Sequence, residues 1–465
     1  MNMSNTEMRT RAVKLIIEPF DFINFENWEC HLSFNNHGTL VVTGLISEEN
    51  RAVYAQMATG EIKVSAKAVD ELGEDVLLFR GVLVDLAITS QFQFHTMTIE
   101  VKTESYLLDQ SLHTRTFQPD ATTYQSMIRT CLDDAGGEFV MREKKDEQAG
   151  QLTVQYQETD WEFIKRLARR LGVVVLPEIK TEGKRILVGL VPGLPAKNIQ
   201  TARHTMTQSK HDPNSIYRYE LGVYQFETRD VYELGQPINF MGKNLIIKEI
   251  NSRLVGSELV HTYEACVLKD AYEAPTVVQN IQGIALRGEV LKIEKDQVQV
   301  RIHEDENKDN SGVRWFNYAT VYSSPDGTGW FVMPEIGDEI RLLFPNATEI
   351  GSYIASSVHL ETDGGRINPD HKSWKNKHQK EILFAPELLR ITNNAGLLFE
   401  LNDDFGIIMD SGLNIAMRAI GKINITSQNE EISMYGDRSV QMQQGASQVK
   451  VKETIDISGG KINMN

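Results

Sequence analysis

Residues 156–167 read Tyr-Gln-Glu-Thr-Asp-Trp-Glu-Phe-Ile-Lys-Arg-Leu, and this stretch predicts the start of an amphipathic helix. Thr159 and Glu162 have the T-x-x-E spacing of a capping box, in which the two side chains satisfy backbone amides of the first turn. Gly172 stands where many helices end on a left-handed residue. Between these ends, apolar residues recur at helical spacing: Phe163, Ile164, Leu167, Ala168 and Leu171.

A second helix is predicted upstream of this one, with Gly136 and Gly137 at its end. Its apolar stripe is Tyr124, Met127, Ile128, Cys131 and Leu132. Downstream, buried strands are predicted at 173–176, before Pro177, and at 185–191, before Pro192. Residues 111–192 are therefore expected to form a small α+β segment.

The chain reads as β-rich on both sides of this segment. Residues 215–270 alternate between apolar and polar positions, for example at 238–240 and 245–250, and a polar stretch at 273–276 predicts a domain boundary. In residues 1–110, short alternating runs between glycines predict strands at 12–17, 39–43, 61–65, 82–86 and 96–101. Such spacing is typical of a small barrel or sandwich.

Residues 283–360 predict a compact β unit with one long acidic loop. Its expected strands are 288–293, 297–302, 313–316, 329–332, 338–344 and 351–355. This number and spacing of strands resembles an OB-type barrel.

After Pro386 the pattern changes to short apolar pairs separated by glycine and polar residues. The pairs are Ile407/Met409, Leu413/Ile415, Ile423/Ile425, Ile432/Met434, Val440/Met442, Val449/Val451, Ile455/Ile457 and Ile462/Met464. One strand-and-turn unit of this size cannot bury its apolar face alone, so we expect stacked units from three chains wound together. The alternative is an ordinary β-sandwich tail, whose strands would be longer and more aromatic.

Composition excludes several classes of protein. The 465 residues carry a formal net charge of −16 without a block of five or six basic residues, so nucleic acid is not an expected partner. Cys30, Cys131 and Cys266 lack CxxC spacing, and we expect three reduced, buried thiols in a protein made in the cytoplasm. The N-terminus has no secretory h-region, and no run approaches ~18 apolar residues, so neither a signal peptide nor a transmembrane helix is expected.

Two motifs together resemble the VgrG / phage tail hub family of contractile injection systems. Residues 156–167 are similar to that family's Y-x-E-[ST]-D-x-x-F-[IL]-x-R-L segment, and Phe117-Gln118-Pro119 before the upstream helix is similar to its hub. Residues 330–340, Trp-Phe-Val-Met-Pro-Glu-Ile-Gly-Asp-Glu-Ile, resemble its barrel segment W-x-x-x-P-x-[IV]-G-x-E-V, and 354–359 resemble the strand that ends it. The resemblance extends over nearly the whole chain.

This resemblance implies a mainly β fold with a small α+β segment, comprising two hub barrels, an OB-fold barrel and a C-terminal intertwined trimeric β-helix. The corresponding regions are hub barrel 1 (1–110), a helical/β insertion of the hub (111–192), hub barrel 2 (193–275), the OB-fold barrel (283–360), a connector (361–386) and the triple-stranded β-helix needle (387–465). Three chains would present six similar barrels, which lets a three-fold spike dock on a six-fold tail tube.

The resemblance also implies partners. The protein is expected to be a homotrimer that contacts the tail tube and baseplate proteins, carries effector cargo and touches a target membrane transiently. The interval from Glu361 to Ala385 is too short for the lysozyme domain of some relatives. His378 is the last histidine, so the H-x-H apex of some phage spikes is absent, and a separate PAAR-like tip protein is expected at the C-terminal end. Assembly into a tail-like particle, and delivery outside the cell or into a target cell, would follow synthesis in the cytoplasm.

No catalytic, cofactor-binding or metal site is expected. The run His303-Glu304-Asp305-Glu306-Asn307 lacks the second histidine of H-E-x-x-H. Asp305, Asn307 and Asp309 match early positions of a calcium loop, but Asn310 and Phe316 occupy its glycine and glutamate positions, so we interpret a solvated acidic loop.

Two further groups have structural interpretations. His371 and His378 flank Trp374 in a lysine-rich connector, which we interpret as solvated surface. Asp160 and Glu162 suit the start of a helix, where the helix dipole favours acidic side chains, better than acid–base chemistry.

The primary hypothesis is therefore a non-enzymatic hub-spike, whose needle is driven through an envelope when a sheath contracts. Interlocked strands would supply the stiffness, because freeing one chain breaks every rung of the ladder. Two alternatives remain: a phage receptor- or glycan-binding tail fibre module, and a cell-wall hydrolase spike. The sequence does not distinguish a phage tail, a tailocin, an extracellular injection particle or a type VI secretion system.

Overall fold

The computed structural model describes residues 14–458, except 58, 60–61, 70–74, 192, 202, 211–219, 273–280, 309–310, 361–366 and 452–454. Strands make up 48% of the chain and helices 11%, which confirms the expected mainly β class. The chain forms two compact units, residues 1–360 and 361–465. Among the described helices, none has the length and apolar character needed to cross a membrane.

The first unit begins with six antiparallel strands: β1 (Lys14–Glu18), β2 (Asn24–Ser33), β3 (Thr39–Ile46), β4 (Lys63–Val69), β5 (Asp75–Gln91) and β6 (Phe94–Lys102). Their order in the sheet is β1-β4-β5-β6-β3-β2. Helix α1 (Glu48–Tyr54) connects the third strand to the fourth, and Ser47 caps it by accepting a bond from the Asn50 amide. The strands include the runs predicted in this region, apart from residues 12–13 and 61, which lie outside the described part, and residue 62, which precedes β4.

A helical segment follows, entered through a 3-10 turn at Glu104–Asp109. Its elements are β7 (Leu112–Phe117), α2 (Tyr124–Ala135), β8 (Glu138–Met141), β9 (Thr153–Thr159), α3 (Asp160–Leu171), β10 (Val175–Pro177) and β11 (Arg185–Val188). Strand β7 pairs with β9, while β11 pairs with β8 and β10. Both helices bury their predicted stripes. Gly136 and Gly172 follow them with φ of 67° and 66°, the left-handed ends that the sequence indicates.

Six more strands extend the first sheet to twelve. They are β12 (Lys197–Asn198), β13 (His204–Lys210), β14 (Glu220–Thr228), β15 (Pro237–Phe240), β16 (Lys243–Val255) and β17 (Glu258–Cys266), followed by the short helix α4 (Leu268–Ala271). The order continues β2-β16-β17-β14-β13, and β15 lies against β12 and β16. The β2–β16 ladder, with Leu32 opposite Ile250, therefore joins the two halves.

Alternating burial explains why these runs form one sheet with one core. Along β3 every second residue is buried, and β6 follows the same period. A single apolar cluster contains Trp28 and Phe79 from the first half together with Phe226 and Tyr263 from the second. The two halves are thus held by a shared core as well as by the ladder.

Residues 285–357 form a separate five-stranded sheet in the first unit. Its strands are β18 (Ala285–Glu294), β19 (Gln297–Ile302), β20 (Trp315–Asn317), β21 (Glu339–Leu343) and β22 (Tyr353–Ser357), in the order β20-β19-β18-β21-β22. The Ala319 amide donates to the Ile354 carbonyl at 2.8 Å, so the chain leaving β20 meets the opposite edge strand.

The strand predicted at 329–332 is wrong. These residues form a loop in which Trp330 and Phe331 are 57% and 73% exposed. Gly329 has a φ of 143°, a conformation that L residues rarely adopt, and it interrupts the extended run.

The second unit begins with a five-stranded antiparallel meander. Its strands are β23 (Lys372–Lys375), β24 (Glu381–Ala385), β25 (Leu388–Thr392), β26 (Leu397–Asn402) and β27 (Gly406–Ser411). Strands β23 and β24 lie in residues predicted to be a connector. A three-stranded sheet follows, made of β28 (Val440–Gln444), β29 (Ser447–Val451) and β30 (Ile455–Ser458).

The predicted apolar pairs fall into three groups. Those at 407/409, 440/442, 449/451 and 455/457 lie on β27, β28, β29 and β30. Those at 413/415, 423/425 and 432/434 lie in no strand of the single chain. The last pair, Ile462/Met464, is outside the described residues.

Candidate functional site

Helix α3 begins at the stretch that carries the sequence motif. Thr159 caps it, because its hydroxyl accepts a bond from the Glu162 amide at 3.2 Å. The Glu162 carboxylate contacts Lys165 at 2.7 Å instead of returning to the cap, so one half of the predicted capping box is present among the described bonds. Trp161 is buried in the core of the helical segment.

Asp160 of the motif is also buried and pairs with a buried arginine. The Arg115 guanidinium donates to the Asp160 carboxylate at 2.6 Å and to the Gln155 side chain at 2.8 Å. A second Arg115 nitrogen lies 3.0 Å from Asp134, at the end of α2. Asp160 therefore ties β7 to the start of α3, a contact that the interpretation from sequence, which rested on the helix dipole, did not include.

Glu158 and Arg166 of the motif hold strand β9 against α3. Two guanidinium nitrogens of Arg166 donate to the Glu158 carboxylate, with a shortest distance of 2.7 Å, and Arg166 also reaches the Val154 carbonyl at 2.7 Å. Arginine is suited to this geometry because its donors form a rigid fork.

Two buried acids connect the five-stranded sheet to the helical segment. We call this contact the junction and define it by Asp305 and Glu349 on the sheet side and Thr116, Arg166 and Arg170 on the helical side. The Asp305 carboxylate accepts bonds from the Thr116 hydroxyl and from the Thr116 amide, the latter at 2.9 Å. Burial raises the pKa of Asp305, and the bonds from Thr116 oppose that shift.

Glu349 forms the other half of the junction. Its carboxylate accepts from Arg170 at 2.7 Å and from the Val154 amide at 3.2 Å, and it lies 3.5 Å from Arg166. Val154 also packs, with Leu152, into the apolar core of the five-stranded sheet. Apolar packing and buried ion pairs thus act at the same interface. Helix α3 therefore contacts both the rest of the helical segment and the region of the five-stranded sheet.

Gln118 adds an amide contact to this interface. Its side-chain carbonyl accepts from the backbone amides of Gly312 and Val313 at 2.9 and 3.1 Å. This glutamine belongs to the Phe117-Gln118-Pro119 run singled out in the sequence, where its role could not be deduced.

The expected solvated acidic loop is therefore wrong for Asp305 and Asn307. Both are buried, and the Asn307 side chain donates to the Thr116 carbonyl at 3.0 Å. Their polar side chains form hydrogen bonds within the chain, across the junction, which sequence spacing alone could not reveal. Asp309 and Asn310 lie outside the described residues.

Serine and histidine side chains, which hydrolases use, contact one another at two places, but these groups are buried. Ser105 contacts His37 at 2.9 Å, and the other ring nitrogen of His37 lies 3.3 Å from Asp109. Ser252 contacts His261 at 2.6 Å. Ser105 is 1% exposed and His261 2% exposed, so a substrate could not approach either group in this conformation.

Within the described ranges, no group of three or more histidine, cysteine or acidic side chains is arranged to hold an ion. The three cysteines are buried and unpaired, as expected, and burial raises the pKa of Cys30 to about 12 and that of Cys266 to about 11. Such thiols are poor nucleophiles and poor metal ligands near neutral pH.

The second unit presents an uncovered apolar face, which we call the meander face. Cross-strand partners place Trp374, Ile382, Ile391, Phe399 and Met409 in one row, each beside the next. A second row on the same face runs through Phe384, Leu389, Leu401 and Ile407. Seven of these nine side chains are exposed, and Ile407 is 68% exposed. A single-layer sheet of this kind needs another layer to become stable.

Residues 412–439 also expose apolar side chains. They belong to no strand, and nine large apolar side chains within them are exposed, including Leu413, Ile420, Ile425 and Tyr435. Apolar surface at this density usually marks a surface that another molecule covers.

Comparison with known proteins gives a consistent picture. A family model described as phage tail baseplate hub (GPD) matches residues 34–235, which contain the motif and strands from both halves of the large sheet. None of the curated protein sequences matches the chain.

Solved structures share the fold at low sequence identity. An Escherichia coli protein, c3393, described as a component of the type VI secretion system with structural similarity to T4 bacteriophage tail proteins gp27 and gp5, is 13% identical with a TM-score of 0.53; the match covers 74% of this chain and 100% of that one. A chain of the half-lidded Francisella PdpA-VgrG complex is 8% identical with a TM-score of 0.59, covering 85% and 87%. A chain of the lidless PdpA-VgrG complex is 8% identical with a TM-score of 0.58, covering 86% and 99%.

Proposed function

We propose that this chain is a member of the phage tail hub family, whose model matches residues 34–235, and that it is the trimeric hub-spike of a contractile injection system. The family model agrees with the resemblance recognised in the sequence, and the solved structures share the fold; both support this proposal. The proposal also includes a trimer, the docking of a tail tube and a piercing needle.

The meander face carries the proposal of a trimer. Among the described residues of the second unit, no second layer covers its two apolar rows, and the occupant that fits best is the same face of two further copies. Three such sheets around one axis would bury all three faces and remove the need for another protein. Residues 412–439 would then be the part in which the three chains pair with one another as an intertwined β-helix.

The domains proposed from sequence fit this arrangement. Two groups of six strands, β1–β6 and β12–β17, are joined through the β2–β16 ladder, as two hub barrels per chain would require. We propose that three chains present these groups to the six-fold tail tube and to baseplate proteins. A PAAR-like tip protein at the C-terminal end, effector cargo and a transient contact with a target membrane complete the proposal. Assembly in the cytoplasm and delivery in a tail-like particle follow from it.

The junction supports a mechanical role. Asp305 and Glu349 connect the five-stranded sheet to the helical segment through buried, charge-assisted bonds, which are stronger than neutral ones. A hub that transmits a push needs such a connection, because a flexible linker would absorb the displacement. We accordingly propose a protein without enzymatic activity, and a peptidoglycan zymogram should show no clearing.

The oligomeric state of the full chain tests the proposal. Light scattering after gel filtration should give the mass of a trimer, and Ile391→Asp with Ile407→Asp should give smaller species, because each change places three charges in the covered layer. Asp404→Lys, in the exposed turn between β26 and β27, is the matched control and should remain trimeric. A wild-type monomer, or equal behaviour of the two variants, would overturn the trimer.

One observation favours the alternative of a glycan-binding fibre module. A groove of about 690 Å³ on the second unit is lined by Trp374, Ile391 and Phe399, and aromatic side chains suit sugar rings. In the proposed trimer these residues are covered. Glycan-array binding by the trimer would favour this alternative, whereas binding by a monomeric variant alone would not.

A further inference from the structure

The two halves of the large sheet contain the same hairpin twice. Strand β5 pairs with β6, and β16 pairs with β17. Both strands of the second hairpin follow those of the first by 164 residues, as two pairs of opposed residues show: Val82 with Lys102, and Ile246 with Cys266. Each ladder also has a bulge at the same place, between Leu83 and Asp85 in one and between Ile247 and Glu249 in the other. Because a bulge is a specific feature of a ladder, the two hairpins are equivalent residue by residue.

The equivalence extends to the strands beside these hairpins. Strands β3 and β14 pair with β6 and β17, and Leu40 and Tyr224 lie opposite residues related by the same offset, Val101 and Ala265. Cys30 of β2 lies opposite Leu40, and Met206 of β13 lies opposite Tyr224. Strand β13 is therefore the equivalent of β2, with Met206 in the position of Cys30.

Two edges of the repeated unit differ in what they pair with. Strand β2 has β16 as its second neighbour, with Cys30 opposite Ser252. Its equivalent β13 pairs only with β14 among the described residues. Residues 85–91 of β5, which are equivalent to the part of β16 that meets β2, pair only with β6 in the same described part. The chain therefore leaves open one edge of each kind that it joins at its centre.

Burial differs between equivalent positions on these edges. Met206 is 48% exposed, whereas Cys30 is buried. Leu86 is half-buried, whereas its equivalent Ile250 is buried next to β2. Apolar residues on a long open edge invite pairing with another strand, so such an edge is normally covered or protected. The difference on both edges is the one that a missing neighbouring strand would produce.

We propose that β13 of one chain pairs with residues 85–89 of β5 in a second copy of this chain, as an antiparallel ladder. The β2–β16 ladder sets the register, through its pairs His31–Asn251, Cys30–Ser252 and Glu29–Arg253. Their equivalents across the two copies are Thr207–Ala87, Met206–Ile88 and Thr205–Thr89.

The side chains suit this register. Met206 and Ile88 would lie together on the core side, where their equivalents are buried. Thr205 and Thr89 would lie opposite each other on the other face, and cross-strand threonine pairs of this kind are favourable. None of the three pairs places like charges opposite one another.

The proposed ladder joins two different edges, so it is heterologous. Each chain offers one edge of each kind, and copies joined in this way either close into a ring or continue as an open chain. The inference rests on the proposed function in one respect, since the proposed trimer sets the closure at three chains. It adds the residues through which the first unit of one chain would bind the next.

Oxidation of engineered cysteines in the full chain tests the ladder. In Ala87→Cys/Thr207→Cys every chain carries one cysteine on β5 and one on β13, so mild oxidation should join three chains covalently on a denaturing gel without reductant. Directly opposed residues have Cβ atoms ~4.5–5.5 Å apart, which is close to the separation in a disulfide. The wild type gives the background, because its three cysteines are buried.

Two controls determine whether the register is correct. In Ala87→Cys/Thr205→Cys the second cysteine lies two residues away on the same face, with Cβ atoms about 7–8 Å apart, so less than about a tenth of the linked product is expected. In His31→Cys/Asn251→Cys the cysteines occupy the equivalent pair within one chain and should form an intrachain bond, identified by mass spectrometry of peptides.

Equal linkage in the first control and in Ala87→Cys/Thr207→Cys would overturn the register. No linkage in Ala87→Cys/Thr207→Cys, while His31→Cys/Asn251→Cys forms its bond, would overturn the ladder. Light scattering of the same samples in reductant separates this result from the proposed function. A trimer that does not link overturns only the ladder, a wild-type monomer overturns the trimer, and covalent products longer than three chains overturn the closed ring.

Discussion

The Arg115 guanidinium lies 2.6 Å from the Asp160 carboxylate, and their side chains are only 1% and 4% exposed. Asp160 belongs to the motif at residues 156–167, whereas Arg115 lies on β7, 45 residues earlier. The motif is therefore explained by the assembly of α3 with its neighbours: Thr159 caps the helix, Asp160 binds β7 and Arg166 holds β9.

Replacing Arg115 with methionine should destabilise the first unit by about 3–5 kcal/mol, because the Asp160 carboxylate would remain buried without the guanidinium that balances its charge. Urea unfolding followed by tryptophan fluorescence measures this. Arg51→Met removes a pair of similar length, 2.7 Å to Glu48, at an exposed position and should cost less than about 1 kcal/mol. Equal costs at the two sites would show that burial does not determine the strength of the Arg115 pair.

Thr116→Val removes one of the hydrogen bonds that Asp305 accepts across the junction while keeping the shape of the side chain. We expect a loss of about 1.5–3 kcal/mol, since hydrogen bonds to charged groups contribute that much. Hydrogen exchange should quicken at the Thr116 amide in particular. Thr43→Val, which breaks a neutral contact of 3.0 Å with Thr98, is the control and should cost less than about 1 kcal/mol. Unchanged exchange at Thr116 would contradict a structural role for the Asp305 bond.

Thr159 should be harder to replace than the cap of the other long helix. Thr123 caps α2 by accepting from the Ser126 amide, so Thr123→Ala should cost about 1 kcal/mol. The Thr159 hydroxyl both accepts from Glu162 and donates to Asp109, so Thr159→Ala should cost about 2 kcal/mol. Thr159→Ser should restore most of the loss. A serine variant as unstable as the alanine variant would mean that the methyl group, not the hydroxyl, matters.

Acid should destabilise the large sheet through His261. Burial lowers the pKa of His261 to about 4, from an ordinary value of 6.5. Between these pH values His261 is protonated in the unfolded chain but not in the folded chain. The free energy of unfolding therefore falls as the pH drops from 6.5 to 4, and this contribution does not change further below pH 4. The full effect is about 3 kcal/mol.

His261→Gln should flatten the stability profile over that window, measured by urea unfolding at a series of pH values. His378→Gln, at an exposed position in the second unit, should leave the profile as steep as in the wild type. A wild-type profile that is flat between pH 6.5 and 4 would rule out His261 as the cause.

Local elements were predictable from sequence because their signals are local. The apolar stripes of α2 and α3, their terminal glycines and most strands of the large sheet follow from spacing within ten or so residues. The prediction of a strand at 329–332 was wrong, because three consecutive apolar residues can lie in an exposed loop when Gly329 breaks the extended backbone.

The junction could not be predicted, because it depends on contacts between distant residues. Asp305 and Glu349 resemble ordinary surface acids in the sequence, and their partners lie 189 and 179 residues away. The same applies to the second unit. Its short apolar pairs indicated strands, but the antiparallel meander with pairing inside one chain depends on turns at positions such as Asn394 and Gly406, both at positive φ.

The ladder between β2 and β16 has a consequence for synthesis. His31 and Asn251 lie 220 residues apart, so β2 obtains its second neighbour only after that length of chain has been made. At 5–20 residues per second, the wait is about 10–40 s. During this time a strand with apolar residues such as Trp28 has an open edge on the ribosome, where it can pair with the wrong partner. Lower growth temperatures or a bound chaperone should therefore raise the soluble yield. The order in which the two halves leave the ribosome sets the period in which mispairing of this strand is most probable.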